Sequence, residues 1–180
     1  DYRPAAGRAD FLVSDCNRDA LAAVEGWRGW PRGALALAGP ARAGKSHLVS
    51  VWCAETGAPA LAAADLAGAD PDGLAEGPRA VEDVPAIAGD RAGETALFHL
   101  VNRMAAEGRA LLLTGRAAPA DWGIALPDLA SRLAATALAR IGPPDDALLS
   151  ALLVTLAADR GIELTPPAVA SCLGRMARPF

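Results

Sequence analysis

Short apolar runs alternate along the chain with longer segments whose apolar side chains recur at helical spacing. Runs of strand length lie at 34–38 ("ALALA"), 58–64, 79–83, 110–115 and 137–141. Helical periods lie between them, at 44–56, 89–108 and 127–133. Strands that alternate with helices in this way predict an α/β fold, with a parallel five-stranded sheet flanked by helices.

The pattern changes after Ile141, where every further segment is helical. One segment begins with prolines and acids and carries a leucine stripe, and the next begins at Thr165 as an N-cap followed by proline. We therefore predict two units, an α/β nucleotide-binding domain over 1–142 and a small helical lid over 143–180. The helical pattern stops abruptly at Phe180, so the lid is expected to be truncated at its C-terminal end.

The segment "GPARAGKSHL" follows the first strand and has the spacing of a phosphate-binding loop, G-x-x-x-x-G-K-S. Its Lys45 is the only lysine among 17 cationic residues. A compact ammonium group on a flexible stem can reach β- and γ-phosphates where the wide fork of arginine does not fit. Ser46 supplies a hydroxyl group for Mg²⁺. The motif therefore predicts that ATP or ADP binds to Gly39, Pro40, Ala41, Arg42, Ala43, Gly44, Lys45, Ser46 and His47.

An acidic pair, Glu82 and Asp83, ends the run at 79–83. P-loop ATPases place an aspartate at the end of such a strand to help hold Mg²⁺. Here the strand is short, and glutamate, which is one methylene longer, stands in the place of aspartate. We expect Glu82 and Ser46 to hold Mg²⁺, Glu82 and Asp83 to act as the catalytic acids, and intrinsic ATP hydrolysis to be weak at most. A solvated acidic turn is the alternative.

Charge and cysteine usage exclude several classes of protein. The net charge is −4 and no basic run occurs, so sequence-specific binding of nucleic acid is not expected. Three widely spaced cysteines suggest reduced thiols and a cytoplasmic location, and two histidines away from any cysteine pair disfavour a zinc site. No apolar run approaches the ~18 residues of a membrane span, and the first residues lack the apolar core of a signal peptide.

Several motifs occur in an order that resembles a known family. They are "DFLVSDCNRDALAAV", "GPARAGKSHL", "AVEDVPAIAGD", "LLLTGRAAPADWGIALPDLASRL" and "RIGPPDDALLSALLVTLAADRGIELTP". Together they resemble the AAA+ ATPases related to the bacterial replication initiator DnaA, and among these the short Hda-type regulators that lack a DNA-binding domain. The resemblance covers nearly all of the chain and implies an AAA+ core followed by a helical lid.

The resemblance also implies roles for residues outside the phosphate loop. Arg132 in "SRL" matches the arginine finger, which acts in trans on a nucleotide bound to a neighbouring subunit. Arg178 matches the sensor 2 arginine of the lid, and residues 114–116 match sensor 1, with Arg116 where an acid or amide is common. Surface arginines are the alternative for Arg132 and Arg178. The segment that packs near adenine in the family contains Leu12, Val13 and Asn17.

Regulation of replication is the function that the resemblance implies. Hda-type proteins stimulate ATP hydrolysis by DnaA in a complex with the DNA sliding clamp, which they bind through a short N-terminal motif. The first residues here, "DYRPAAG", do not contain that motif. Nucleotide-dependent self-association is left open. A small P-loop kinase or other phosphotransferase is the alternative function, and an initiator or loader fragment that contacts DNA directly is a third.

Overall fold

A parallel sheet of five strands forms the centre of the molecule. The computed structural model describes residue 8 and residues 11–158 and 160–176. The strands are β1 (Ala34–Ala38), β2 (Ala60–Ala62), β3 (Arg79–Glu82), β4 (Leu111–Gly115) and β5 (Ala137–Arg140). Their order is β2-β3-β4-β1-β5, and every neighbouring pair is parallel. The predicted parallel five-stranded sheet is therefore confirmed.

The described residues form seven α-helices, joined by short 3₁₀ turns. The helices are α1 (Arg18–Glu25), α2 (Lys45–Thr56), α3 (Pro71–Leu74), α4 (Arg91–Ala106), α5 (Pro127–Ala134), α6 (Asp146–Ala158) and α7 (Pro166–Met176). The helical periods thus correspond to α2, α4 and α5. The prediction of a strand through residue 64 is wrong, because β2 ends at Ala62 and a 3₁₀ helix follows over Ala63–Gly68. Neither α1 nor α3 was predicted as an element.

Local chemistry sets the limits of the helices on either side of the sheet. α2 ends at Gly57, whose φ of 71° is accessible to glycine without strain. α4 begins after Asp90, whose carboxylate accepts hydrogen bonds from the backbone N–H groups of Ala92 and Gly93 at 3.1 Å. Both ends therefore satisfy backbone groups that the helix itself leaves without partners.

The sheet separates two apolar clusters because side chains alternate between its faces along each strand. From β1, Leu35 and Leu37 join the cluster that contains Leu48 and Trp52 of α2. The second cluster contains Ala36 of β1, together with buried residues of α4, β4 and α5: Leu97, Leu111, Leu113, Leu129 and Leu133. Helices therefore cover both faces, and the strands that lead into the functional loops are buried.

The last two described helices, α6 and α7, pack against each other after the sheet is complete. Their apolar residues are far less buried than those of the strands, since Leu152 is 39% and Val154 48% exposed. This segment coincides with the predicted lid, although the division into two domains stays a prediction. Within the described ranges, no helix has both the length and the apolar character needed to cross a bilayer.

Candidate nucleotide-binding site

The central strand β1 leads directly into the loop of residues 39–44, and α2 begins at Lys45. Gly39 lies against the exit of β5, because a Cβ atom added to it would be 2.7 Å from the carbonyl oxygen of Ile141. Gly44 has a φ of 101°, a backbone conformation that other residues rarely adopt. One glycine is thus required by close packing and the other by backbone conformation, and together they turn the chain from strand to helix.

Lys45 folds back over the loop that precedes it. Its Nζ atom donates hydrogen bonds to the carbonyl oxygens of Gly39 at 2.6 Å and Pro40 at 2.7 Å. Burial and the positive charge of Arg116 lower the pKa of Lys45, while Asp83 and Glu82 act in the opposite direction. Because Lys45 is the first residue of α2, its ammonium group lies beside backbone N–H groups and a helix dipole that favour a bound anion.

The acidic pair meets the phosphate loop, as the sequence predicts. Ser46 Oγ donates a hydrogen bond to Glu82 Oε2 at 2.6 Å. Asp83 is exposed, has a φ of 54°, and donates its backbone N–H to Oγ1 of the buried Thr114 at 3.0 Å. Glu82 is therefore more than part of a solvated turn, and Thr114 of the predicted sensor 1 segment holds the turn in place.

The residues present fit Mg²⁺ and a bound phosphate. A hydroxyl group and a carboxylate are oxygen ligands of the kind that Mg²⁺ prefers, and the ion usually completes its shell with water and substrate phosphate. Among the described residues, no group of three His, Cys, Asp or Glu side chains is placed to hold a metal. A metal bound between Ser46 and Glu82 would therefore have few protein ligands, as is usual for Mg²⁺ at a phosphate site.

The segment before α1 lies against the start of α2. The Phe11 ring meets the His47 ring edge-on, with centroids 5.2 Å apart. Asn17 is 3% exposed, and its amide is committed within the segment, donating to the carbonyl of Leu12 and accepting from the N–H of Ser14, both at 2.9 Å. Of the three residues predicted near adenine, Asn17 is therefore occupied by the backbone, whereas Leu12 is half-buried and Val13 is 45% exposed.

Arg132 lies at the opposite end of the sheet from the phosphate loop. It is exposed in the last turn of α5, with its guanidinium 5.7 Å from the centroid of the Phe98 ring. It lines a groove with Ala34 and Leu111, the first residues of β1 and β4, whereas the phosphate loop follows the last residue of β1. The five residues of β1, which span about 16 Å, therefore lie between this groove and the loop. Arg178, the predicted sensor 2 residue, lies outside the described residues.

A buried carboxylate on α4 was not predicted. Glu94 is 2% exposed and accepts hydrogen bonds from the backbone N–H groups of Gly89 at 2.8 Å, Ala125 at 2.9 Å and Leu126 at 2.7 Å. Desolvation raises the pKa of Glu94, but these three donors outweigh it and hold the pKa below its ordinary value. The spacing of α4 could have indicated this, because Glu94 precedes Leu97 by three residues and so lies on the same buried face of the helix.

Comparison with known proteins places this geometry in a familiar fold. The sequence matches no protein-family model. A DNA replication initiation factor superposes with a TM-score of 0.80 at 18% identity, over 94% of this chain and 59% of that one. AMPPCP-bound DnaA from Aquifex aeolicus gives 0.76 at 19% identity, over 94% and 60%. Domain III of DnaA from Thermotoga maritima gives 0.74 at 18% identity, over 93% and 79%.

The sheet order, the phosphate loop and these neighbours define an α/β P-loop domain with the AAA+ fold. Its form is that of the AAA+ domain of DnaA, as the sequence resemblance predicted. At these identities the likeness is one of fold. The chain spans about 60% of the length of the first two of these proteins.

Proposed function

We propose that the chain is a nucleotide-dependent AAA+ regulator of replication initiation, similar to Hda, which binds ADP or ATP and stimulates ATP hydrolysis by DnaA in a complex with the sliding clamp. The observation that carries this proposal is that two functional cations, one lysine and one arginine, lie at opposite ends of the same sheet. Lys45 lies in the phosphate loop at the carboxyl end of the sheet, and Arg132 lies exposed at its amino end. The first suits a bound nucleotide and the second suits the nucleotide of a neighbour.

Nucleotide binding is supported by the chemistry of the loop. Lys45 Nζ is held by two carbonyl oxygens, which phosphate oxygens can replace as acceptors. Backbone N–H groups at the start of α2 supply further donors. When bound, Mg²⁺ neutralises charge on the phosphate oxygens, and Ser46 and Glu82 are the residues that would hold it. DnaA from Aquifex aeolicus, which shares the fold, was solved with AMPPCP bound.

Weak intrinsic hydrolysis follows from the acidic pair. Glu82 is bonded to Ser46, so Asp83 is the remaining acid that could orient an attacking water. Its backbone is fixed by Thr114 in a left-handed conformation, and its carboxylate is solvent-exposed. Solvation stabilises the ionised acid without fixing its direction, and catalysis by such a group depends on fixed geometry. We therefore expect the chain to act mainly on the ATP of its partner.

Stimulation in trans is assigned to Arg132. An arginine delivered by a partner stabilises charge on the transferred phosphoryl group, and such residues contribute roughly 10³ to 10⁵ in rate. The guanidinium is exposed at the surface, where a partner can contact it. DnaA is the proposed recipient because of the shared fold and the "SRL" motif.

The proposal is tested by phosphate release from ATP-loaded DnaA, mixed with this protein, ADP and DNA-loaded clamp. The expected result is faster release that requires both this protein and its bound ADP, with a reaction lacking the clamp as control. Release that is equally slow with and without the protein would reject the regulatory role. Transfer of the γ-phosphate to a small-molecule acceptor by the protein alone would favour the kinase alternative instead.

A further inference from the structure

The connection between β5 and α6 contacts the phosphate loop. Ile141 is 2% exposed and donates its backbone N–H to the carbonyl of Ala38 at 2.8 Å. The same residue is the one that leaves no room for a side chain at Gly39. The chain that leads to the last two helices thus begins in direct contact with the first residue of the loop.

The same connection is bonded to the segment before α1. Gly142 donates its backbone N–H to the carbonyl of Cys16 at 2.8 Å. Three residues on, Asp145 Oδ2 accepts hydrogen bonds from the Ser14 hydroxyl and from the backbone N–H of Cys16, the latter at 3.3 Å. Residues 14–16 and 142–145 are therefore joined by three hydrogen bonds, two of which end on one carboxylate oxygen.

The other oxygen of Asp145 starts α6. Oδ1 accepts a hydrogen bond from the backbone N–H of Leu148 at 2.7 Å, which is the contact of a helix N-cap. The hydroxyl of Ser14 and the N–H of Leu148 lower the pKa of Asp145, so the carboxylate is ionised at neutral pH. One charged group thus caps α6 with one oxygen and binds the N-terminal segment with the other.

The N-terminal segment is itself held against the phosphate-loop helix. Phe11 contacts His47, and the Asn17 amide bridges Leu12 and Ser14 within the segment. Ile141 thus contacts the first residue of the loop, and Phe11 contacts the helix that follows the loop. The carboxylate of Asp145 joins the two pieces of chain that carry these residues.

We propose that Asp145 is a positioning residue that couples the phosphate loop to α6, so that the hydrogen bond from Ser14 slows the release of a bound nucleotide. This inference rests on the proposed nucleotide binding. The Ser14–Asp145 contact keeps together the segment that contacts Gly39 and the segment that contacts His47. Neither Ser14 nor Asp145 belongs to the phosphate loop, so we expect the association rate of the nucleotide not to depend on their contact.

Ser14→Ala tests the coupling because it removes the hydroxyl donor and leaves the cap between Asp145 and Leu148 in place. Asp145→Asn is a second variant, since asparagine is an equally good N-cap but turns an NH₂ donor toward the backbone N–H of Cys16, which thereby loses its acceptor. Ser150→Ala is the matched control, because its hydroxyl donates to the carbonyl of Asp146 within α6. Thermal melting followed by circular dichroism checks that all three variants fold.

Two measurements on the full chain are needed. The first is amide hydrogen exchange without nucleotide, in which Ser14→Ala should speed exchange in α6 but not in α2, by about two- to tenfold for one lost hydrogen bond. The second is stopped-flow binding of fluorescent ADP, in which Ser14→Ala and Asp145→Asn should raise the dissociation rate by a similar factor and leave the association rate unchanged. Ser150→Ala should change neither.

The outcomes separate this inference from the function on which it rests. Wild-type exchange and dissociation in both variants would overturn it, and so would faster exchange in α6 with unchanged ADP dissociation. Failure of the wild-type chain to bind ADP would instead reject the proposed nucleotide binding and with it the effect on release. In that case the exchange experiment still decides whether Ser14 and Asp145 join the segment to α6.

Discussion

The two ends of the sheet carry different arrangements of charge. At the carboxyl end, cations and acids are mixed, and the charges that act on Lys45 come from Arg116, Asp83 and Glu82. At the amino end, a groove is lined by three arginines, Arg32, Arg109 and Arg132, of which Arg109 is paired with Glu107 at 2.8 Å. Mixed charge can hold both a metal and a phosphate, whereas a groove with an excess of cations attracts an anionic group from another molecule.

In the proposed function, one short strand separates the site that binds the chain's own nucleotide from the site that would act on a partner. β1 leads away from the arginine groove and into the phosphate loop. Substitutions at sites more than about 10 Å apart with no shared partner usually have additive effects. Changes at one end should therefore leave the function of the other intact, which the following substitutions examine.

Arg132→Ala should have the largest effect. Stimulation of DnaA should fall by about 10³-fold, because a guanidinium that stabilises the transferred phosphoryl group is lost. ADP affinity and melting temperature should stay at their wild-type values, since the side chain is exposed and far from its own loop. Phosphate release, ADP titration and thermal melting measure the three quantities.

The matched control for that experiment is Arg91→Ala, which removes another exposed arginine, at the start of α4. It should stimulate like the wild type. Loss of ADP binding in Arg132→Ala would show that the residue acts in cis, and wild-type stimulation would remove the assigned role altogether.

Lys45→Ala should reverse this pattern at the other end of the sheet. Loss of the ammonium group should weaken ADP binding by about a hundredfold or more, which corresponds to about 2.7 kcal/mol. The melting temperature of the free protein should hardly change, because the bonds that Lys45 makes are confined to its own loop. Isothermal titration with ADP measures the effect, with Arg132→Ala as a control that loses one cation from the amino end. Equal ADP affinities for Lys45→Ala and the wild type would contradict the prediction.

Glu94→Gln should lower the stability of the fold, and its effect should not be confined to one end of the sheet. The amide retains one acceptor oxygen but turns an NH₂ donor toward backbone N–H groups, so at least one buried donor loses its partner. The free energy of unfolding should fall by about 1 to 3 kcal/mol. Urea unfolding measures the loss, and Glu107→Gln, on an exposed residue just past the same helix, is the control with a smaller effect. A loss no greater than that of the control would show that the carboxylate is dispensable.

The Glu94 contribution should also depend on pH. Its pKa in the folded protein lies below the ordinary value of 4.5, so the folded state binds this proton less readily than the unfolded chain does. The ionised group therefore stabilises the fold fully above the unfolded pKa, and the contribution is lost as the pH falls through the folded pKa. The stability difference between wild type and Glu94→Gln should be constant from about pH 6 upward and shrink below about pH 4.5. A difference that grows on acidification would have the wrong sign.

The phosphate loop, the strands and the principal helices could be predicted because their signals are local. The loop is a run of consecutive residues, and the faces of α2, α4 and α5 follow from spacing within each segment. The strand at 58–64 was predicted too long, because an alanine-rich run has no strong preference for a strand. The helices α1 and α3 were not predicted. Glu82 was predicted to hold Mg²⁺ together with Ser46, and the two side chains are hydrogen-bonded at 2.6 Å. Their role in holding the metal stays a prediction.

Two of the contacts that the sequence did not predict join distant residues. Glu94 bonds to a backbone 31 positions away, and Ser14 bonds to a carboxylate 131 positions away. No periodicity links such pairs, and their partners are backbone groups or small polar side chains that many folds could satisfy. Asn17 was placed near the base by its position in the segment, yet its amide is used by its neighbours. Only the tertiary structure decides which polar groups remain available.

The central place of β1 has a consequence for synthesis on the ribosome. Leu35 emerges early, yet its partners in the sheet are Leu112 and Ala137, on the order of a hundred residues later. Until then "ALALA" is an apolar strand with two unpaired edges, a form that invites pairing with other chains. A nascent chain stalled before β4 should therefore aggregate or require a chaperone, whereas one that has exposed β5 can close the sheet. The strand that presents the phosphate loop is thus the one whose folding depends most on completion of the chain.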